Sequence, residues 1–260
     1  MSQTKGYVDS QLLRTLAELL KQTKQRSYAL MQLQPSYQAL DVGCGPGTDT
    51  IPLAQIVGPQ GQVVGVDHDE AMIAEADQRA EQASVATWVK HTRADVASLP
   101  FERDRFDACR SERLFQHLLE PELALSEMSR VTKRGGWLVV LDTDWGTISI
   151  DTSEVDIERR LARVLAERVL HNGYSGRRLY RLFKQQGLAD ISIEMFPTHI
   201  TSYALLRQVV LLDRVEQEAL ASGIVTNDEL DRWRFSLEQA EASGVCFGSG
   251  TLVMAAGRKT

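Results

Sequence analysis

The clearest chemical signal in the chain is nine residues, Ala39-Leu40-Asp41-Val42-Gly43-Cys44-Gly45-Pro46-Gly47. An apolar run feeds directly into three glycines at alternate positions. Glycine admits positive φ and carries no Cβ, so the backbone can turn sharply and a ligand can lie against it. A helix-like segment follows, so the turn offers its N–H groups at a helix N-terminus, where negative charge is favoured. Asp67 stands 20 residues beyond Gly47, at the end of a second apolar run, Gln62–Val66. An acid at that place can accept hydrogen bonds from both hydroxyls of a ribose.

These residues need a frame. Residues 8–33 read as one or two helices, with Val8, Leu12, Leu13, Leu16, Leu19 and Leu20 at helical spacing and Pro35 blocking continuation. Strands are expected at Tyr37–Val42, Gln62–Val66, Val85–Arg93, Phe106–Ser111, Gly136–Leu141, Ile191–Phe196 and Thr251–Ala256. Helices are expected between them at 48–57, 71–83 and 121–131. Pro52 falls in the first turn of one helix, where a missing N–H costs little, and Pro121 opens another. Beyond residue 145 the pattern is mostly helical: Ser153 to Gly173, Ser175–Gln186, 199–221 and 227–242. Strands alternating with helices imply a mostly parallel sheet covered on both faces.

Asp41-Val42-Gly43-Cys44-Gly45-Pro46-Gly47 resembles the first motif of class I S-adenosylmethionine (SAM) dependent methyltransferases. The likeness covers roughly residues 26–144 and the last strand near 251–257. Leu99-Pro100-Phe101 with Arg105-Phe106-Asp107 resembles the "LPF…FD" run before that family's fourth strand. Leu114-Phe115-Gln116-His117-Leu118 with Glu120-Pro121 resembles the following "L..HL.DP" segment, with Glu120 for the usual Asp. Arg130–Trp137 resembles the "RVLKPGG" entry to the fifth strand, with Arg134 for the Pro. Arg110 replaces an apolar residue at the end of strand four, and an ion pair with an acidic neighbour is expected for it. A nicotinamide-binding loop would carry a small residue three positions after its second glycine, where this chain has Thr48.

The resemblance implies an α/β fold: a Rossmann-like, seven-stranded, mostly parallel sheet with helices on both faces and a helical lid. Residues 1–260 are then one domain, with cap helices in 1–36, a SAM-binding core in 37–145 and lid or substrate insertions in 146–175 and 197–249. It also implies site residues. Gly43, Cys44, Gly45 and Gly47 would carry the cofactor, with Asp41 orienting the loop and the methionine ammonium. Arg26 would take the SAM carboxylate as a planar fork. Asp67 and His68 would meet the ribose, Met72 would pack on the adenine, Asp95 and Val96 would bond it, and Ser111 would complete the set. In similar O-methyltransferases a His after strand four and an Asp after strand five face the transferred methyl. His117 with Asp144 or Asp142 stands there, either as a general base and its orienting acid or as loop anchors.

Composition narrows the classes. The chain is 43% hydrophobic and 25% charged, an ordinary globular balance. A net charge of −6 and no basic block argue against nucleic acid. The start, Met1-Ser2-Gln3-Thr4-Lys5, has no apolar signal region, and no run reaches transmembrane length, so neither secretion nor a membrane is expected. Cys44, Cys109 and Cys246 are far apart and lack metal-ligand spacing, which suits reduced thiols in a cytoplasm and no bound metal. The function expected is SAM-dependent methyl transfer to an O, N or C atom of a small apolar or aromatic metabolite, in a monomer or homodimer. The alternatives are a SAM-binding protein that catalyses another reaction, an interaction module, and a nicotinamide oxidoreductase.

Overall fold

The computed structural model describes residues 10–260. Val8 and the side chain of Leu13, both assigned above to the N-terminal helical face, lie outside what is described. Two helices come first among the described residues, α1 (Ser10–Leu19) and α2 (Lys21–Leu30). The strands are β1 (Gln38–Val42), β2 (Gln62–Asp67), β3 (Val89–Arg93), β4 (Phe106–Glu112), β5 (Thr132–Ile150), β6 (Ala189–Ile200) and β7 (Gly248–Arg258). Helices α3 (Thr50–Val57), α4 (Glu70–Gln82) and α5 (Pro121–Val131) make the crossovers. The seven strands form one sheet in the order β3-β2-β1-β4-β5-β7-β6. The first five are parallel, and β7 runs antiparallel between β5 and β6. The chain winds outward from β1 in one direction and then returns to β4 on its other side. The carboxyl ends of β1 and β4 therefore flank a crevice, the place where open α/β sheets bind ligands.

Strand alternation sorts the buried residues. Leu40, Val42, Phe106 and Val140 face α5 and α7 (Ser175–Gln185), meeting Leu125, Met128 and Phe183. Ala39, Ala108 and Val139 face α2 and α3, meeting Met31, Leu53 and Val57. Each fully buried aliphatic side chain of this kind is worth about 1.5–3 kcal/mol. A third cluster is helical. Trp233 on α10 (Asn227–Ala242) is fully buried among side chains of α6 (Val155–Val164), α8 (Tyr203–Val209) and α9 (Leu212–Ala221). A π-turn at Leu165–Val169 joins this group to the sheet.

Three strands, β5, β6 and β7, are much longer than expected. β5 continues through Ile150 and β6 through Ile200, because β7 pairs with both over nearly its whole length. The β5–β7 register breaks between Asp144 and Ser149 and then resumes at Ser149 with Ser249. Such irregularities re-aim side chains. Here Trp145 and Ile148 are turned toward the crevice.

Arg110 is wholly buried in β4, in register with Asp41 of β1. Its guanidinium reaches Asp41 at 3.3 Å, Asp49 at 3.0 Å and Glu112 at 2.7 Å, and lies over the Tyr28 ring at 5.2 Å. Lys24 of α2 meets Asp49 at 2.8 Å and Glu112 at 2.6 Å. The Tyr28 hydroxyl also donates to Asp49. Burial alone would raise Asp49, but Arg110 and Lys24 outweigh it and hold the carboxyl below its ordinary range. The expected ion pair of Arg110 is thus a buried cluster that ties α2 to the start of α3. Removing one member of a buried pair typically costs about 3–5 kcal/mol, because the partner charge is stranded. Arg110→Met should lower the unfolding free energy by that amount in urea titration at neutral pH. An unchanged midpoint and slope would show that the cluster does not hold the fold.

Candidate active site

The glycine loop is built from below. The N–H groups of Gly43 and Cys44 both donate to the Val66 carbonyl, at 2.8 and 2.9 Å. Gly43, Gly45 and Gly47 have φ of 74°, 52° and 71°, a region that side chains with a Cβ rarely enter. Arg79 of α4 holds the loop from outside through the Pro46 carbonyl and the Thr48 hydroxyl. Above the loop lies a cavity of about 1420 Å³.

Gly43, Cys44, Gly45, Asp67, His68, Met72, Asp95 and Val96 line one end of the cavity. The Asp67 carboxylate accepts from the N–H of Gly45 at 2.9 Å and of Asp69 at 3.0 Å, and His68 Nδ1 stands 3.2 Å away. Burial pushes Asp67 up, but the His68 contact and the two N–H groups pull it below its ordinary value. The group is therefore an ionised acceptor fixed to the loop it serves. Asp69 caps α4 by accepting from the N–H of Ala71 and Met72, which sets Met72 at the cavity edge. Asp95 accepts from the Ala97 N–H at 2.9 Å and so holds its own turn. Burial raises the Cys44 thiol well above its usual value, which keeps it neutral. A glycine edge free of Cβ atoms, an anchored carboxylate and an apolar shelf suit an adenosine with an amino-acid tail.

Five expected contacts lie elsewhere. Arg26 is not at the cavity. It pairs with Glu194 on β6, Nε to Oε2 at 2.9 Å. Lys24 lines the cavity instead, and two residues along a helix are about 200° apart around its axis. Asp41 lies beneath the loop as a partner of Arg110. Gly47 is set by packing, since a Cβ there would come within 2.9 Å of the Ala76 Cβ. Ser111 points to the opposite sheet face from its cavity-lining neighbour Glu112. Asp142 is fully buried under the cavity wall, where it accepts from the N–H of Gln116 at 3.2 Å and of Thr143 at 2.8 Å. Burial pushes its carboxyl up to about 7, against N–H bonds that draw it down.

His117 and Asp144 do reach the cavity. Asp144 accepts from Arg177 Nε at 2.7 Å and from the Gly146 N–H at 3.2 Å, so both oxygens have partners. His117 sits in a short 3₁₀ turn, Phe115–His117, and its Nε2 is 3.1 Å from Gln116 Nε2. Gln116 Oε1 accepts from the Trp145 indole at 2.6 Å. Lys24, Asp49, Glu112 and Gln116 are lining residues that motif reading missed. One signal could have found two of them: an arginine inside a buried strand demands carboxylates within reach, and Asp49 and Glu112 are the acids beside the loop and the strand end.

A family model described as "Methyltransferase domain" matches residues 33–187. An uncharacterised 37.1 kDa protein in transposon Tn4556 of Streptomyces fradiae is 32% identical over 240 residues, 90% of this chain and 68% of that one. A demethylmenaquinone methyltransferase of Staphylococcus carnosus is 34% identical over 127 residues, 49% of this chain and 52% of its own length. The match thus spans about half of such enzymes. The YcgJ protein of Bacillus subtilis has the same fold, with a TM-score of 0.67 and 19% identity over 92% of this chain and 98% of that one.

Hydrogen bonds to a charged group are worth roughly 1.5–3 kcal/mol each. Asp67→Ala should therefore weaken SAM binding at least about tenfold in calorimetry, with thermal unfolding as the check on folding. Unchanged affinity in a folded variant would remove Asp67 from the site.

Proposed function

Because the chain belongs to the class I SAM-dependent methyltransferases, we propose that it transfers the methyl group of SAM to an O, N or C nucleophile of a small apolar or aromatic molecule. One observation carries this reading. The cavity of about 1420 Å³ exceeds the roughly 300–1,000 Å³ typical of a single small-molecule site. It continues past the loop into an apolar half lined by Leu16, Leu20, Trp145, Ile148, Phe196 and Leu206. The curated relatives named demethylmenaquinone methyltransferases act, by that name, on demethylmenaquinone. A ring-bearing apolar acceptor of that general kind suits these walls.

SAM supplies an electrophilic methyl on a sulfonium, and the departing sulfide is a good leaving group. The chain's own work is to hold and to enclose. In this reading Asp67 holds the ribose hydroxyls, while Met72, Asp95 and Val96 frame the adenine. The amino-acid end lies toward Lys24, Asp49 and Glu112. Trp145 and Ile148, turned in by the β5 irregularity, would press the acceptor toward the methyl and keep water out. Correct in-line placement alone can supply much of the rate. Of the helices around Trp233, α8 brings Leu206 and Val209 to the wall of this half. No helix among the described residues is long and apolar enough to cross a membrane. Cys44, Cys109 and Cys246 are all free and buried, which supports a cytoplasmic setting; the reading takes the chain as a monomer or homodimer that binds no nucleic acid.

Incubation with SAM carrying a labelled methyl, against a panel of apolar phenols, quinols and amines, should move label into an organic-extractable product. Asp67→Ala should reduce that transfer. If SAM binds in calorimetry but the label never leaves it across the panel, the chain is a cofactor-binding protein with another role.

A further inference from the structure

The amide of Gln116 has one allowed orientation. An indole N–H can only donate, so the atom 2.6 Å from Trp145 Nε1 is the amide oxygen. A carbonyl can only accept, so the atom 3.1 Å from the Arg113 carbonyl is the amide nitrogen. Two independent anchors thus agree. The nitrogen has a second hydrogen, and it points at His117 Nε2, 3.1 Å away. A ring nitrogen facing a donor must be the unprotonated one, so the ring proton sits on Nδ1. The backbone beneath is equally fixed. The Gln116 N–H donates to buried Asp142, and its carbonyl accepts from the Asn172 N–H at 3.0 Å.

We propose that Gln116, oriented by Trp145 and the Arg113 carbonyl, is a positioning residue that locks His117 as a neutral imidazole with its proton on Nδ1. The Nε2 lone pair is occupied by the Gln116 amide, so His117 does not take a proton there. It enters methyl transfer as an N–H donor to an oxygen of the acceptor molecule. A substrate oxygen can take the place of any acceptor already on that N–H. This selects a class of acceptor: one whose nucleophile reaches the methyl without giving His117 a proton. An enolate or phenolate qualifies, as does the carbon beside such an oxygen. The donor role rests on the methyl-transfer reading above, whereas the tautomer does not.

The test is a long-range proton–nitrogen correlation spectrum of the full chain labelled with ¹⁵N-histidine. The chain has five histidines, and the signals lost in His117→Asn assign the one in question. At neutral pH His117 should show a protonated Nδ1 and an unprotonated Nε2. In Gln116→Met the side-chain length is kept and the amide donor is gone, so the Nε2–H tautomer should appear in slow or averaged exchange. The other four histidines should keep their signals, which reports on folding. An Nε2–H or doubly protonated His117 in the parent chain overturns the proposal. So does a His117 spectrum that Gln116→Met leaves unchanged. Failure of methyl transfer in the labelled-SAM assay would leave the tautomer result standing and remove only the donor role.

Discussion

An arginine with no exposed surface sits in the middle of the sheet, and the placement of the glycine loop depends on it. A buried guanidinium is tolerable only with carboxylates around it. Arg110 has three, and they come from three separate segments: Asp41 from β1, Asp49 from the end of the glycine loop, and Glu112 from its own strand. Lys24 adds a second cation from α2. Arg113 Nε, 3.4 Å from Glu112, adds a third, so three cations face three carboxylates. Burial disfavours the charge of Asp41 and raises its carboxyl, while Asp49 and Glu112 stay low. Asp41 is the carboxyl of the three that burial leaves readiest to hold a proton. Such an acid binds a proton in the fold that the unfolded chain has already released, so its contribution to stability declines as pH rises toward its folded value.

The far wall of the cavity rests on a second buried polar system. Asp142 accepts the Gln116 N–H, the Asn172 side chain donates to the Phe115 carbonyl at 3.2 Å, and the Trp145 indole closes onto Gln116. Here the β5–β7 register break brings Trp145 inward to meet a loop that follows β4. The crevice between β1 and β4 is therefore held on both sides by groups that cannot shift singly. Moving one would strand a buried donor or acceptor, at about 1–3 kcal/mol each. Rigid walls of this kind suit a reaction that depends on alignment more than on proton transfer.

The parts of this arrangement that follow from local chemistry were legible in the chain. The glycines at 43, 45 and 47 do adopt positive φ, and Asp67 does end β2 beside the loop. The sheet, its crossovers and the starts of α5, α7 and α10 follow from alternation, prolines and caps, whereas the helix expected over 199–221 is two, α8 and α9, broken at Leu211, whose φ is 53°. What was not legible depends on facing and depth. Arg26 and Lys24 are two residues apart, and only the docked angle of α2 decides which looks inward. Ser111 and Glu112 are neighbours on opposite faces of one strand. Asp142 and Asp144 share a face, and their depth along β5 separates a buried loop anchor from a cavity-lining acid. Gln116 meets Trp145 across 29 positions of sequence, so no local pattern announces it. The strand extensions to Ile150 and Ile200 come from the length of β7, a partner that neither segment encodes alone.

The most direct test of this account is a crystal structure of the full chain with S-adenosylhomocysteine. The account predicts both ribose hydroxyls within hydrogen-bond distance of the Asp67 carboxylate and the adenine against Met72. The amino-acid end should point toward Glu112, and the Arg110 cluster should be unmoved. Ligand density outside the cavity, or an adenosine that makes no contact with Asp67, would contradict it.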